Sequence, residues 1–527
     1  MNAMNAPERW SPRTRTAVVA SLALALVVHA ASFDAVCDDA FISLRYARNL
    51  TLHGAPVYNL GERVEGYSSP VWMLLEAVLL RFGIEGRFVL TMLGAFGGVA
   101  LIASVWHLWN VLVPRKPLQG LLVLAMVAGS TPVAAWTSSG LETPLFAALV
   151  AGFVAEVASC SEDPTPRRAL VVGLLSALAT LTRPEGVFLC VLGFVWFAAQ
   201  KKTRDAKILL AFAAGVLAPL LVFEAWRFAY YGALLPNTHR AKVSAATGER
   251  VANGLRYTWF AITETSLGLS ALLLAGLVVP TRSRGLWLAR LVVVVFVVYV
   301  VWVGGDFLDL FRFFVPVLPL LYLSLVASSL GLVERLGAPH RTWALGAVLT
   351  LPLFALAQVK LRIHALTPHE SAREAARIEP LIWTREHGTM WADAGRFVAA
   401  HAQPGDTMAV MAAGATPFYA DLPTLDMFGL TDAEVAAHGD PNGVRPGHQR
   451  FARFDHVLGK RPTFLMFDEC ELPTAWVGWK WTDAGYECVI VKAPKSSGGE
   501  MRLTFLLQRE RADDLGRRKI AYRFKRP

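Results

Sequence analysis

Apolar runs of about 17–25 residues recur through the first two-thirds of the chain, and each is as long as a helix must be to cross a hydrocarbon core. Short basic stretches separate them: PRKP at 114–117, Arg167 and Arg168, KKTRDAK at 201–207, Arg282 with Arg284, and Arg335 with Arg341. Cations on alternate loops mark the side of a membrane that stays inside. Hydropathy and loop charge together predict about eleven spans, at 17–36, 88–113, 118–136, 144–160, 169–182, 187–200, 208–229, 267–280, 286–303, 313–331 and 341–358. The runs at 169–182 and 187–200 are short for a full crossing. Arg9, Arg13 and Arg15 place the start of the chain inside, and an odd count of spans places the tail outside. Asp34 stands where a signal peptide would have a small neutral cleavage region, so the first run reads as an uncleaved helix.

Only 17% of the residues are charged and 54% are hydrophobic, whereas a soluble domain carries roughly 25% charged residues. The class is a polytopic α-helical membrane protein. A net charge of +10 would suit a nucleic-acid binder, but these cations lie in the loops that orient helices, so nucleic acid is not expected as a partner. The five cysteines form no CxxC pair and predict no metal site.

Near residue 359 the long runs stop. Residues 1–358 read as a transmembrane catalytic domain and 359–527 as an extracytoplasmic α/β domain, long enough to bury its own core. In that tail ARIEPLIWTREHGTMWADAGRFVAAHA reads as helix, while DTMAVMAAGATPFYA, PTFLMFDEC and MRLTFLLQRE read as strands beside turns.

Orientation sends the unusual polar motifs to the outer side. The run VVHAASFDAVCDDAFISLRYARN delivers Asp38 and Asp39 to its own end. A helix starting there would put Asp38, Arg45, Arg48 and Asn49 on one side and Ile42, Tyr46, Ala47 and Leu50 on the other, which suits a membrane surface. Either aspartate serves equally well as a helix N-cap. GAPVYNLGERVEGYSSPVW is a loop carrying Arg63, Glu65 and Tyr67, and SSPVWMLLEAVLLRFGI reads as a second surface helix. SGLETPLF places Glu142, LTRPEG places Arg183 and Glu185, LLPNTHRAK gathers Asn237, His239, Arg240 and Lys242, and GGDFLDLFRFF places Asp306 and Arg312. Each has a plain structural alternative, a local ion pair or an interfacial anchor. Their convergence on one face favours a site.

The residue types suggest which chemistry. Arg183, His239, Arg240, Lys242 and Arg312 are donors suited to a phosphate. A carboxylate at Asp38 or Asp39 can take a proton from an attacking hydroxyl. Tyr and Trp offer faces for a sugar. These parts describe glycosyl transfer from a lipid phosphate, and displacement with a single base predicts inversion at the anomeric carbon.

CDDAFISLRYARNL, VYNLGERVEGYSSPVW, SGLETPLF, LTRPEG, LLPNTHRAK, GGDFLDLFRFFVPVLP and the tail segment LPTLDMFGLTDAEVA together resemble the GT-C membrane glycosyltransferases. The resemblance is greatest to the terminal β-(1→2)-arabinofuranosyltransferase-like family. It implies a polyprenyl-phosphate sugar donor, a cell-envelope glycan, lipid or protein acceptor, and transfer at the outer face of the cytoplasmic membrane. It also implies an acidic base in the first outer loop, which falls on Asp38 or Asp39. Asp38 is preferred for sharing a helix face with Arg45 and Arg48. The phosphate-binding role falls on His239, Arg240 and Lys242. Some GT-C enzymes use a divalent metal, but with no clustered acids beyond the aspartate pair, no cofactor is expected.

Two other classes compete. A lipid-linked glycan flippase would show paired repeats and ionisable groups near the bilayer centre, and neither is visible. A non-catalytic envelope assembly protein leaves the polar motifs among the spans unaccounted for. Cys470 and Cys488 lie in the oxidisable tail and are a candidate disulfide, whereas Cys37, Cys160 and Cys190 read as packing residues. The basic terminus RADDLGRRKIAYRFKRP is suited to anionic head groups or to a frayed end. Asp426 and Asp432 flank MFGLT, which reads either as an acceptor-facing loop or as a place where Thr431 or Asp432 caps the helix AEVAAHG.

Overall fold

In a computed structural model, residues 11–114, 116–242, 247–264, 267–337, 340–367, 380–442, 448–466 and 479–523 are described. Each apolar segment picked out in the sequence carries a helix. Among the described residues, six helices are individually long and apolar enough to cross a membrane: Pro12–Ala31, Gly86–Leu112, Thr143–Glu162, Ala206–Tyr231, Arg284–Val303 and Leu318–Arg335. Pro117–Gly129 and Thr131–Ser138 form a broken pair bent by 57°. Pro132 supplies the physical reason, because its missing N–H and its ring interrupt the helix ladder.

The two short runs are Pro166–Thr182 and Val187–Ala199, joined by one 3-10 turn at Pro184–Gly186. Arg183 precedes a proline, a position that disfavours helical backbone, and it is extended (φ −148°, ψ 137°). Gly186 lets this turn fold back on the helix before it, since a Cβ there would lie 2.4 Å from the Ala179 carbonyl carbon.

The chain forms two compact units that interleave in sequence. The first comprises Met1–Ala35, Thr91–Phe223 and Val251–Leu381, and the second comprises Val36–Leu90, Glu224–Arg250 and Ile382–Pro527.

The first unit is helical. Its most enclosed span is Thr143–Glu162, and small residues (Ala147, Ala148, Ala151, Ala155) fill much of its buried surface. Small side chains permit close helix packing in lipid, where hydrophobicity does not drive helices together.

The second unit contains a six-stranded sheet, with strands β1 (Met408–Val410), β2 (Thr424–Asp426), β5 (Phe464–Met466), β6 (Tyr486–Pro494), β7 (Glu500–Gln508) and β8 (Ala521–Arg523) in the order β2-β1-β5-β7-β6-β8. The β1–β2 and β1–β5 pairs are parallel and the others antiparallel. Two short strands, β3 (Asp440–Pro441) and β4 (Arg450–Phe451), pair separately. The expected tail helix is Leu381–His401, and its anticipated first residues, 376–379, lie outside the described residues. The sequence reading found β1, β5 and β7 but passed over β6, whose run YECVIVKAP alternates and has no long apolar stretch.

One hydrophobic core joins elements far apart in sequence: Ile42, Tyr46, Tyr58, Tyr67 and Met73 pack with Phe397, Val410, Phe464 and Phe505. Helix Ala40–His53 is therefore not an amphipathic helix with a wet side. Ile42, Tyr46 and Ala47 are buried, and so are Arg45 and Asn49 from the side expected to be polar. Cys488 is disulfide-bonded, and its expected partner Cys470 lies outside the described residues. Cys37, Cys160 and Cys190 are buried thiols outside any disulfide.

Candidate functional site

The acid pair sits in a tight turn before helix Ala40–His53, within the second unit. The two aspartates have different surroundings. Asp38 is buried, and its two oxygens accept the backbone N–H groups of Gly414 (3.0 Å) and Ala415 (2.6 Å). Asp39 is half-buried, holds the N-cap position with helical backbone (φ −54°, ψ −28°), and makes no side-chain capping bond. Among the described residues its carboxylate has no hydrogen-bond or ion partner. Both aspartates precede the helix, so Asp38 does not share a helix face with Arg45 and Arg48.

Several other residues singled out in the sequence hold this unit together. Arg45 is buried and donates to the carbonyls of Tyr58 (2.8 Å), Pro417 (2.8 Å) and Leu422 (2.7 Å). Asn237 donates to the carbonyls of Gly429 (2.8 Å) and Leu430 (3.1 Å). Glu65 is buried against Arg227, with Oε2 2.8 Å from Nε. Burial pushes the Glu65 carboxyl up to about 7 against the pull of that guanidinium. The Tyr67 hydroxyl lies 3.2 Å from that of Tyr231.

Arg48 is held by Asp421 (2.5 Å), whereas other basic residues of this unit are exposed. The side chains of His239 and Arg240 are exposed on helix Asn237–Lys242 and make no hydrogen bond or ion pair among the described residues. Arg63 is exposed, with its guanidinium 4.8 Å from the centroid of the Tyr230 ring. Lys242 ends the helix, and its side chain lies outside the described residues.

The first unit holds a different set. Arg183 donates from Nε to Glu185 (2.5 Å) and from Nη1 to Glu142 (2.7 Å), and all three side chains are nearly buried. Arg312 donates from Nε to Asp306 Oδ2 (2.6 Å) and from Nη2 to Oδ1 (3.1 Å), a two-pronged pair. The Phe313 ring lies 5.4 Å from the Arg183 guanidinium and 5.3 Å from that of Arg312. The structure thus joins Glu142, Arg183 and Glu185 across distant loops and brings Arg312 to the same aromatic ring. Both guanidinium groups are already engaged by carboxylates.

Three features escaped the sequence reading. Arg227 reads as part of an apolar run. Asp309, almost fully buried, accepts its neighbour's N–H on Leu310 (2.7 Å) in a turn where Leu310 and Phe311 both have φ 53°. Two successive non-glycine residues in the left-handed region store strain, and no one-dimensional pattern announces that. Gly414 gave no signal either, because its partner is 376 residues away. In the tail, Asp426 accepts from Phe428, Thr431 and the Thr431 hydroxyl, while burial pushes its carboxyl up to about 6. Asp432 caps helix Ala433–His438 through the Val435 N–H (2.9 Å), as the cap alternative has it.

This architecture matches solved structures. A crystal structure of ArnT from Cupriavidus metallidurans bound to undecaprenyl phosphate superposes over 94% of this chain and 98% of that one, with a TM-score of 0.57 and 11% identity. The fold is GT-C. At the sequence level the GT-C chain is similar to two curated proteins named terminal beta-(1->2)-arabinofuranosyltransferase. The one from Mycobacterium tuberculosis is 28% identical over 240 residues, and the one from Corynebacterium glutamicum is 27% identical over 332. These alignments span 42% and 54% of this chain but only 37% and 47% of those proteins, so the chain matches less than half the length of either. A family model described as "Domain of unknown function (DUF8728)" matches residues 379–505.

Proposed function

We propose that this chain is an inverting glycosyltransferase that moves a sugar, arabinofuranose foremost, from a polyprenyl-phosphate donor to an envelope glycan, lipid or protein acceptor. The reaction is assigned to the outer face of the cytoplasmic membrane, with the start of the chain inside and the tail outside. One observation carries the reading: in a GT-C fold, at the turn where the resemblance expects a base, Asp39 is a carboxylate without a partner among the described residues, beside an aspartate held by two backbone N–H groups.

In this reading Asp39 removes the proton from an acceptor hydroxyl as its oxygen attacks the anomeric carbon. The bond from that carbon to the phosphate oxygen breaks, and the polyprenyl phosphate leaves with the electron pair. The exposed basic residues His239, Arg240 and Arg63 are assigned to the phosphate, because carboxylates do not hold their side chains among the described residues, and Lys242 is assigned with them by its place on the same helix. Arg183 and Arg312 are assigned to holding the loops of the first unit, since buried acids already take their charge.

The test is transfer by purified protein supplied with polyprenyl-phosphate arabinofuranose and an oligosaccharide acceptor. Asp39→Asn is expected to lower turnover by roughly 10²–10⁴-fold, the usual worth of a positioned base. Unchanged turnover would remove the base, and retained anomeric configuration in the product would remove the single displacement.

A further inference from the structure

We propose that the segment 413–422 of the tail domain is a working part of the transfer site, and that Asp38 is the positioning residue through which it acts. This rests on the reading of Asp39 as base.

Four side chains from residues 38–58 grip the backbone of 413–422. Asp38 takes the N–H groups of Gly414 and Ala415, and the Tyr58 hydroxyl donates to the Ala413 carbonyl (2.6 Å). Arg45 donates to the Pro417 and Leu422 carbonyls, and Arg48 to the Phe418 carbonyl (2.6 Å). Each of these bonds ends on main chain, so they fix the path of the segment, and Arg48 adds one side-chain pair to it, with Asp421 (2.5 Å). Residue type matters at Gly414. A Cβ there would lie 1.9 Å from the Asp38 carbonyl oxygen and 2.6 Å from its Cγ, so only glycine allows the approach.

The placement bears on the base directly. Asp38 and Asp39 are adjacent in one tight turn, with the Phe41 N–H bonded to the Asp38 carbonyl (2.9 Å) and the Ile42 N–H to that of Asp39 (3.1 Å). Fixing the Asp38 side chain at two points therefore fixes where the Asp39 carboxylate stands. A charged acceptor taking two backbone donors makes a strong, directional contact, and small displacements of a catalytic group carry large costs in rate. Segment 413–422 lies inside residues 379–505, so this gives the domain of unknown function a task in this chain.

The experiment is a three-way set in the full-length protein, Asp38→Asn, Gly414→Ala and their double variant, with Asp39→Asn run beside it. Turnover per folded molecule, donor KM and thermal unfolding are read for each. Asp38→Asn and Gly414→Ala are each expected to lower kcat by roughly 10- to 100-fold with donor KM within about twofold of wild type. The double variant is expected to be no worse than the poorer single one, because both break one contact. Asp38→Asn keeps the side-chain shape, so it serves even if Gly414→Ala does not fold. Wild-type kcat in the Asp38→Asn protein overturns the inference while a dead Asp39→Asn keeps the base. If Asp38→Asn falls as far as Asp39→Asn while Gly414→Ala keeps its rate, Asp38 is itself the base and both readings fall. Full turnover in Asp39→Asn removes the base reading whatever the other variants do.

Discussion

The charged loops of the helical unit and the acid turn of the sheet-bearing unit treat the same residue types in opposite ways. In the first, Glu142, Glu185 and Asp306 are each paired side chain to side chain with Arg183 or Arg312. In the second, Asp38 is satisfied by main-chain N–H groups and the Asp39 carboxylate has no partner among the described residues. A buried carboxylate matched by a guanidinium holds loops together and has little left for a substrate. A carboxylate whose neighbour does the holding keeps its lone pairs for chemistry. Conspicuous polar residues among membrane spans are thus two populations, and only their partners tell them apart.

That contrast breaks if the two populations respond alike to mutation. The largest expected effect is on Asp39→Asn, which should remove transfer by up to about 10⁴-fold while leaving the thermal transition in detergent unchanged. Arg183→Met should do the reverse. It strands Glu142 and Glu185, nearly buried, and removing one partner of a buried pair costs about 3–5 kcal/mol. The expected readout is a lower unfolding temperature and poor recovery of monodisperse protein, with partial rescue when Glu142→Gln and Glu185→Gln are added. An Arg183→Met protein of normal stability without transfer would place that arginine with the chemistry instead.

A smaller effect follows from Asp426. Its folded carboxyl is raised to about 6, from an unfolded value of about 4. The folded state therefore binds the proton more tightly. The corresponding stability is fully present below about pH 4 and is lost as pH rises through 6. About two units correspond to nearly 3 kcal/mol at most. Unfolding of the tail monitored from pH 4 to 7 should show that loss, and Asp426→Asn should flatten it. The smallest effect belongs to the Arg48–Asp421 pair, whose aspartate is 72% exposed. Asp421→Ala should change stability by less than about 1 kcal/mol, a shift near the limit of a careful denaturation curve.

Much of the fold was legible because its signal is local. Run length marks the helices and Pro184 marks one break, since a proline acts on its immediate neighbours, whereas the bend at Pro132 falls inside the run 118–136 that reads as a single span. The amphipathic reading of 38–50 failed for a nonlocal reason. Arg45 and Asn49 look like a wet face in one dimension, but the tail's Pro417 and Leu422 carbonyls and the local Val57 carbonyl take their N–H groups. The strand β6 was missed because it is stabilised by β7 and β8, and its own pattern carries little of that pairing.

By itself the sequence determined that this chain lives in a membrane, where its helices lie, and which short motifs hold its unusual charges, because hydropathy, proline and loop charge act over a few residues. Only the tertiary structure decided which partners each charge has. A carboxylate's task depends on what lies within about 3 Å of it. For Asp38 that neighbour is the main chain at Gly414, a residue whose own side chain says nothing and whose place beside the acid pair exists only once the chain has folded.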